Sequence, residues 1–183
     1  ELKADREIVL AAVSQDGVAL GWASEELKAD REIVLAAVSQ DGDALEYTSE
    51  ELKADRGIVL AAVNEFGMSL ASASSQLQND PELIEIAKKR TLEALRNPES
   101  VIHQYLLYTE DTRWETLSLK WLWSDKGFVL DALQTQATYL WRAVSDELKN
   151  DPEVVLAYVG SNGFEWSLLD DQERVDDLLP DQH

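Results

Sequence analysis

His103 is the side chain in this sequence best suited to acid–base chemistry, and Glu99 stands one helical turn before it. A general base also needs an orienting partner, a group to react with and a pocket. The sequence around His103 offers no residues for these roles, so we interpret it as an ordinary helix histidine. His183 is the last residue of the sequence. We therefore expect no catalytic residue and a non-enzymatic protein.

Aspartates recur at a fixed spacing, at Asp5, Asp30 and Asp55, and a ladder of carboxylates could in principle bind cations. An aspartate before an apolar segment is also a favoured helix N-cap, which needs no ion. The turns Asp16-Gly17 and Asp41-Gly42-Asp43 have the composition of calcium loops but lack the alternating ligands and the closing glutamate. The sequence has no cysteine, which excludes thiolate metal sites and disulfides. We expect neither a metal nor a cofactor.

The charge balance limits the kinds of partner. The formal net charge is -20, from 36 acidic and 16 basic residues. So negative a surface repels phosphate backbones and anionic membranes, so we expect no nucleic acid partner. The longest apolar run, Ile-Val-Leu-Ala-Ala-Val, is far shorter than the roughly 20 residues that span a bilayer. We expect a soluble protein without a membrane span, whose location is intracellular or organellar rather than secreted.

Lys88, Lys89 and Arg90, with Arg96 nearby, form the only basic cluster in this acidic sequence. Such a cluster is usually a solvated helix face with pairs inside the helix. The alternative is electrostatic docking of an acidic segment, such as the chain's own acidic tail. We keep these three residues as candidates for docking.

A second candidate site is rich in aromatic residues. Leu107, Trp114 and Trp121 recur every seven residues, which is compatible with core filling. Trp, Tyr and Arg are also the residues that anchor protein interfaces. We therefore hypothesise that this segment binds a protein partner, through the following side chains: Tyr105, Tyr108, Arg113, Trp114, Trp121 and Trp123.

These residues belong to a chain built from repeats. The phrase Asp5 to Gly17 returns at Asp30 and Asp55 and, in altered form, at Asp80, which gives a period of 25 residues. Residues 1–17 and 26–42 are identical. Further starts are recognisable at positions 97, 125 and 151. A fixed period of this length is typical of a stacked-repeat architecture.

The apolar run within each repeat could be a strand or a helix, and its flanks favour a helix. The preceding aspartate suits an N-cap, and Pro81, Pro98 and Pro152 occupy the first helical position of later copies. We expect the glycine after the run to end the helix in the left-handed conformation. A second, shorter helix is then predicted over residues 18–23. Residues 81–96 predict one longer helix with i,i+4 pairs, Glu85 with Lys89 and Lys89 with Glu93.

The phrase Leu-Lys-x-Asp-Arg-Glu-Ile-Val-Leu-Ala-Ala-Val, with the glycine four residues later and the Ser-Glu-Glu-Leu-Lys turn, resembles the family of domain of unknown function 4116. The resemblance is close at residues 1–75, recognisable at 145–160 and weak between 85 and 120. It implies tandem helical repeats and brings no catalytic residue.

We therefore predict an all-α fold, a right-handed α-solenoid of helix-turn-helix repeats that is irregular in the middle. The expected segments are regular repeats at 1–80, an irregular Trp-rich insert at 81–124, degenerate repeats at 125–169 and an acidic cap and tail at 170–183. Solenoids commonly bind proteins along such surfaces. We expect a protein-binding scaffold or accessory subunit of a larger, multi-subunit complex. The alternatives are an acidic mimic that occupies a basic site, or the repeat region of a larger enzyme or bacterial effector.

Overall fold

The computed structural model describes residues 2–97, 121–135, 141 and 143–161. Within these ranges the chain forms helices and turns and no strand. The prediction of an all-helical protein is therefore confirmed, and the apolar run of each repeat is a helix. The α-helices, in chain order, are α1 Arg6–Val13, α2 Glu25–Lys28, α3 Arg31–Gln40, α4 Glu50–Lys53, α5 Arg56–Glu65, α6 Ser75–Gln78, α7 Pro81–Leu95, α8 Lys126–Leu133, α9 Asp146–Lys149 and α10 Pro152–Ser161.

Shorter 3₁₀ helices connect these elements. They span Leu2–Ala4, Gly17–Trp22, Gly42–Tyr47, Gly67–Ser72 and Leu122–Ser124. We number the sequence repeats so that the first is residues 1–25, the second 26–50 and the third 51–75. Each of the three contains a longer α-helix, a 3₁₀ helix and a one-turn α-helix, which is a repeated helix-turn-helix pattern.

Aspartate side chains cap the longer helices, as predicted. Asp5 accepts hydrogen bonds from the backbone N–H groups of Glu7 and Ile8, at 3.1 and 3.2 Å. Asp30, Asp55, Asp80 and Asp151 make the same pair of bonds at the starts of later helices, and Asp125 accepts one from Phe128. These bonds satisfy N–H groups that have no partner within the helix.

The prediction of a second, short α-helix at residues 18–23 needs correction. The segment Gly17–Trp22 is a 3₁₀ helix, and the one-turn α2 follows it. Two glycines in six residues give the segment little α-helix propensity, so packing decides its conformation. Leu20 is fully buried, and the N–H of Ala23 donates to its carbonyl at 3.0 Å, which closes a three-residue turn.

The predicted left-handed helix stop at the glycines is also wrong. Gly17, Gly42 and Gly67 begin the 3₁₀ helices, and none has φ in the left-handed region. Instead, a Cβ on Gly17 would lie 2.5 Å from the carbonyl oxygen of Ala37. Glycine is required here because the turn of one repeat touches the backbone of the helix in the next.

The long helices α3 and α5 lie between neighbours and bury most of their apolar residues. Ile33, Val34, Ala37 and Val38 have no exposed surface, and neither do Ile58, Val59, Ala62 and Val63. One hydrophobic core runs from Val9 to Ala87. A second core contains Leu95, Phe128 and Val154 among others, and Trp121 packs against both.

Helix α7 agrees with the prediction of one longer helix from Pro81. Its C-cap is Arg96, and Lys89 lies 4.0 Å from Glu93 as expected. Glu85, however, pairs with Lys88 at 3.2 Å instead of with Lys89. Within the described ranges, no helix combines the length and apolar content that crossing a membrane requires.

Candidate functional site

A ladder of ion pairs connects each repeat to the next. Arg6 donates to Asp30 at 3.3 Å and to Glu32, at sequence separations of 24 and 26 residues. Arg31 meets Asp55 at 3.3 Å, and Arg56 meets Asp80 at 3.1 Å and also Glu82. Lys88 with Asp125, at 2.7 Å, and Lys126 with Asp151, at 2.9 Å, continue the series. We call these contacts the ion-pair ladder.

The ladder explains the repeated aspartates without a cation. The backbone N–H of Ile58 and the guanidinium of Arg31 together lower the pKa of Asp55 below its usual value, against a small opposing effect of burial. For Asp125 the largest cause of the lowered pKa is the hydrogen bond from Lys88. Each ladder carboxylate therefore both caps a helix and holds a cationic side chain. In the described part of the chain, no group of three potential ligands could hold a metal ion.

Acidic side chains line the one-turn helices of the first two repeats. Glu25 and Glu50 are 89% and 88% exposed and pair with Lys28 and Lys53 three residues later. The neighbouring Glu26 and Glu51 are exposed, and neither has an ion-pair partner among the described residues. We call these four glutamates the acidic row. They occupy helix N-terminal turns, where the helix dipole favours negative charge.

The acidic row ends at the third repeat, because α6 has Ser75 and Gln76 in the corresponding places. A separate acidic pair, Asp146 and Glu147, begins α9, and the side chain of Asp146 is 99% exposed. Exposed carboxylates therefore recur on the one-turn helices in two parts of the molecule.

The basic cluster predicted for docking lies beside a groove of about 420 Å³ between α7 and α8. Lys88 is held by Glu85 and Asp125, and Arg90 pairs with Glu93 at 3.3 Å. Lys89 is 76% exposed and only 4.0 Å from Glu93. Carboxylates therefore partly neutralise the cluster, and Lys89 presents the most accessible of its three charges.

The aromatic candidates are only partly described. Tyr105, Tyr108, Arg113 and Trp114 lie outside the described residues, as does His103. Trp123 is only 7% exposed and packs edge-on against Phe128, with 5.3 Å between the ring centroids. Trp121 is half-buried between the two cores. These two side chains occupy the interior, which is the core-filling alternative for this segment.

The structure shows two features that we did not derive from the sequence. The first is an exposed apolar face on the first repeat, where Leu2, Ile8 and Trp22 are 69%, 45% and 73% exposed. They line a shallow pocket of about 220 Å³, and the ammonium of Lys3 lies 5.5 Å from the Trp22 ring centroid. We call this the end face. The signal was present in the spacing, because Trp22 corresponds to Tyr47 one repeat later.

The second feature is a largely buried carboxylate, Asp43. Burial, and then the negative charges of Asp41 and Glu46, raise its pKa to about 6. The corresponding positions of the first and third repeats hold Val18 and Met68, so an acid in this place departs from the repeat pattern. Like charges and burial both favour its protonated form.

A protein-family model described as "Domain of unknown function (DUF4116)" matches residues 5–53 and 55–97, which together make up half of the chain. The chain belongs to this family. Its two adjacent matches are consistent with a tandem arrangement of DUF4116 repeats. No curated protein and no solved structure matches the chain. In this DUF4116 protein the best-defined features are the ion-pair ladder, the acidic row and the end face.

Proposed function

We propose that this DUF4116 protein is a non-enzymatic scaffold that binds a protein partner through the acidic row. Its repeats form a right-handed α-solenoid with a period of about 25 residues, and the complex is part of a larger assembly. The observation that carries the proposal is the exposure of Glu26 and Glu51 without a cation of their own. The partner surface is basic.

The supporting argument begins with rigidity. The one-turn helices are short, but each follows a 3₁₀ helix whose leucine, such as Leu20 or Leu45, is fully buried. A fixed backbone keeps the carboxylates in place without a partner, which reduces the entropy lost on binding.

Electrostatics then decides the chemistry of the partner. Lys28 and Lys53 neutralise only one glutamate in each pair, so a net negative charge remains on each one-turn helix. A single exposed ion pair contributes about 1 kcal/mol or less. Several such pairs on one surface give selectivity for a basic partner and a fast, salt-sensitive association.

The test is affinity capture from a native extract, followed by mass spectrometry. Glu26→Gln with Glu51→Gln removes two charges from the row and keeps the side-chain shape. The matched control, Glu65→Gln with Asp131→Asn, removes two charges from exposed residues outside the row. A stoichiometric partner should be recovered with the parent and the control and lost with the row variant. Equal recovery with all three, or no partner at all, would contradict the proposal.

The predicted aromatic and basic candidates remain part of the proposal as a second contact. Trp114→Ala should then weaken partner capture while the helical circular dichroism is retained, and Lys89→Gln should do the same for an acidic segment of the partner. Loss of the helical signal in Trp114→Ala would instead indicate a core residue.

The acidic mimic is a second candidate, supported by the net charge of -20. A mimic occupies a basic site that normally holds another ligand, so its captured partner should release that ligand when the protein binds. A scaffold and the partner's own ligand should bind together. Competition between the protein and a polyanion such as heparin for the captured partner distinguishes the two.

A further inference from the structure

The contact between the first two repeats shows what the end face can bind. Residues 1–17 and 26–42 have the same sequence, so the face that the second repeat turns to the first has the same side chains as the end face. In the covered copy Ile33 has no exposed surface, whereas Ile8 is 45% exposed. The first repeat is therefore a template for the occupant of its own end face.

The polar contacts of the template are specific. Asp30 and Glu32 accept from Arg6, and their equivalents on the end face are Asp5 and Glu7. The side-chain oxygen of Gln40 accepts from the N–H of Gly17, and its amide nitrogen donates to the carbonyl of Gln15 at 3.4 Å. Gln15 itself stands in the place of Gln40 on the end face.

The aromatic contact completes the template. The ring of Tyr47 lies against Gly21, so closely that a Cβ on that glycine would be 3.1 Å from the ring. Trp22 takes the place of Tyr47 on the end face and is 73% exposed. A partner with a glycine in the place of Gly21 would cover it.

We propose that the end face docks one further DUF4116 repeat, stacked in the order in which the first repeat stacks on the second. The occupant must present an arginine at the first residue of its helix, and glycines 11 and 15 residues later, as Arg6, Gly17 and Gly21 do. This inference does not depend on the proposed scaffold function.

The described part of this chain does not itself supply that surface. Arg6, Arg31 and Arg56 each pair with the following repeat, and α10 begins with Pro152, which has no charge. The occupant is therefore an additional repeat and not a second copy of this chain docked through its described residues.

The absence of cysteine makes a thiol-protection experiment possible. Ile8→Cys introduces one thiol on the end face, and its rate of reaction with a maleimide reports exposure. A second protein carries an extra copy of residues 1–25 joined ahead of Glu1. The new junction then reproduces Glu25-Glu26. In this extended chain the thiol should react at least ten-fold more slowly.

Two controls define the limits of the measurement. A thiol introduced by Ile33→Cys, at the covered equivalent, should react slowly in both chains. A thiol introduced by Leu156→Cys, at a residue that is 62% exposed in the last described helix, should react at equal rates in both. Circular dichroism checks that each variant retains its helices.

The ion-pair contact is tested by charge reversal. Glu7→Lys in the original repeat should raise the thiol reaction rate of the extended chain several-fold, and Arg6→Glu in the added copy should restore protection by reversing the pair. An unchanged rate in the extended chain would overturn the proposal. So would protection of the unextended protein that grows with its concentration, because a second copy would then be the occupant.

Discussion

Gly42→Ala tests whether close contact between repeats, and not backbone flexibility, explains the glycine that begins each 3₁₀ helix. A Cβ at this position would lie 2.5 Å from the carbonyl oxygen of Ala62, 2.6 Å from the hydroxyl of Ser69 and 2.9 Å from Cβ of Phe66. Ordinary contacts of a Cβ begin near 3.4 Å. The turn and the helix α5 of the next repeat must therefore move apart.

The expected magnitude follows from two opposing effects. Inserting a methyl group into a packed interface costs about 1 to 3 kcal/mol. Replacing glycine by alanine restricts the unfolded chain and returns about 0.4 to 1 kcal/mol. Because Gly42 has no left-handed φ, no backbone strain is added. We expect a net loss of about 1 to 2 kcal/mol in the free energy of unfolding.

Urea unfolding followed by far-ultraviolet circular dichroism measures this loss as a lower midpoint. The matched control is Gly160→Ala, because a Cβ on Gly160 in α10 meets no atom within 4 Å. The same chemical change should there stabilise the helix by about 0.5 to 1 kcal/mol. If Gly42→Ala were as stable as the parent, the close-contact explanation would be refuted.

Three further substitutions test the ladder, the buried acid and the second core. Gly57→Glu should add about 1 kcal/mol of stability, seen as a higher urea midpoint that falls with salt, by improving helix propensity and giving Arg31 a second carboxylate. Asp43→Val should stabilise the fold at pH 8 by up to about 3 kcal/mol, because a folded pKa near 6 favours the protonated acid. This advantage should shrink as pH falls through 6 and vanish below 3.8, the unfolded value. Trp123→Ala should cost about 3 to 5 kcal/mol in thermal or urea unfolding, as for other buried aromatic residues.

The sequence predicted those features that depend on local signals. The caps follow from an aspartate before an apolar run, and the bond from Glu7 N–H to Asp5 spans only two residues. The start of α7 follows from Pro81 at its first position. These signals act within one turn of helix, so no knowledge of the neighbouring repeats was needed to interpret them.

The missed features depend on contacts between repeats. Gly17 was expected to adopt a left-handed conformation because a glycine after a helix commonly does so. Its actual role depends on Ala37, which is 20 residues away in sequence. The ladder was also missed, although a period of 25 residues places Arg6 beside Asp30 and Glu32. The adjacent residues Asp5, Arg6 and Glu7 were interpreted as one local phrase, whereas the arginine bonds to the next copy of that phrase.

Burial and the ladder make different contributions to the contact between repeats. Arg6 and Asp30 remain 45% and 29% exposed, so their ion pair contributes at most about 1 kcal/mol. Full burial of a side chain such as Ile33 contributes about 1.5 to 3 kcal/mol. Strength therefore comes mainly from the apolar residues, which would accept many apolar surfaces. The ion pairs and the Gly17 contact with Gln40 exclude partners in the wrong register, because a misplaced repeat would leave the arginine without its carboxylates. A repeat that lacked the arginine should thus still bind the end face, but with less selectivity for this orientation than for binding at all.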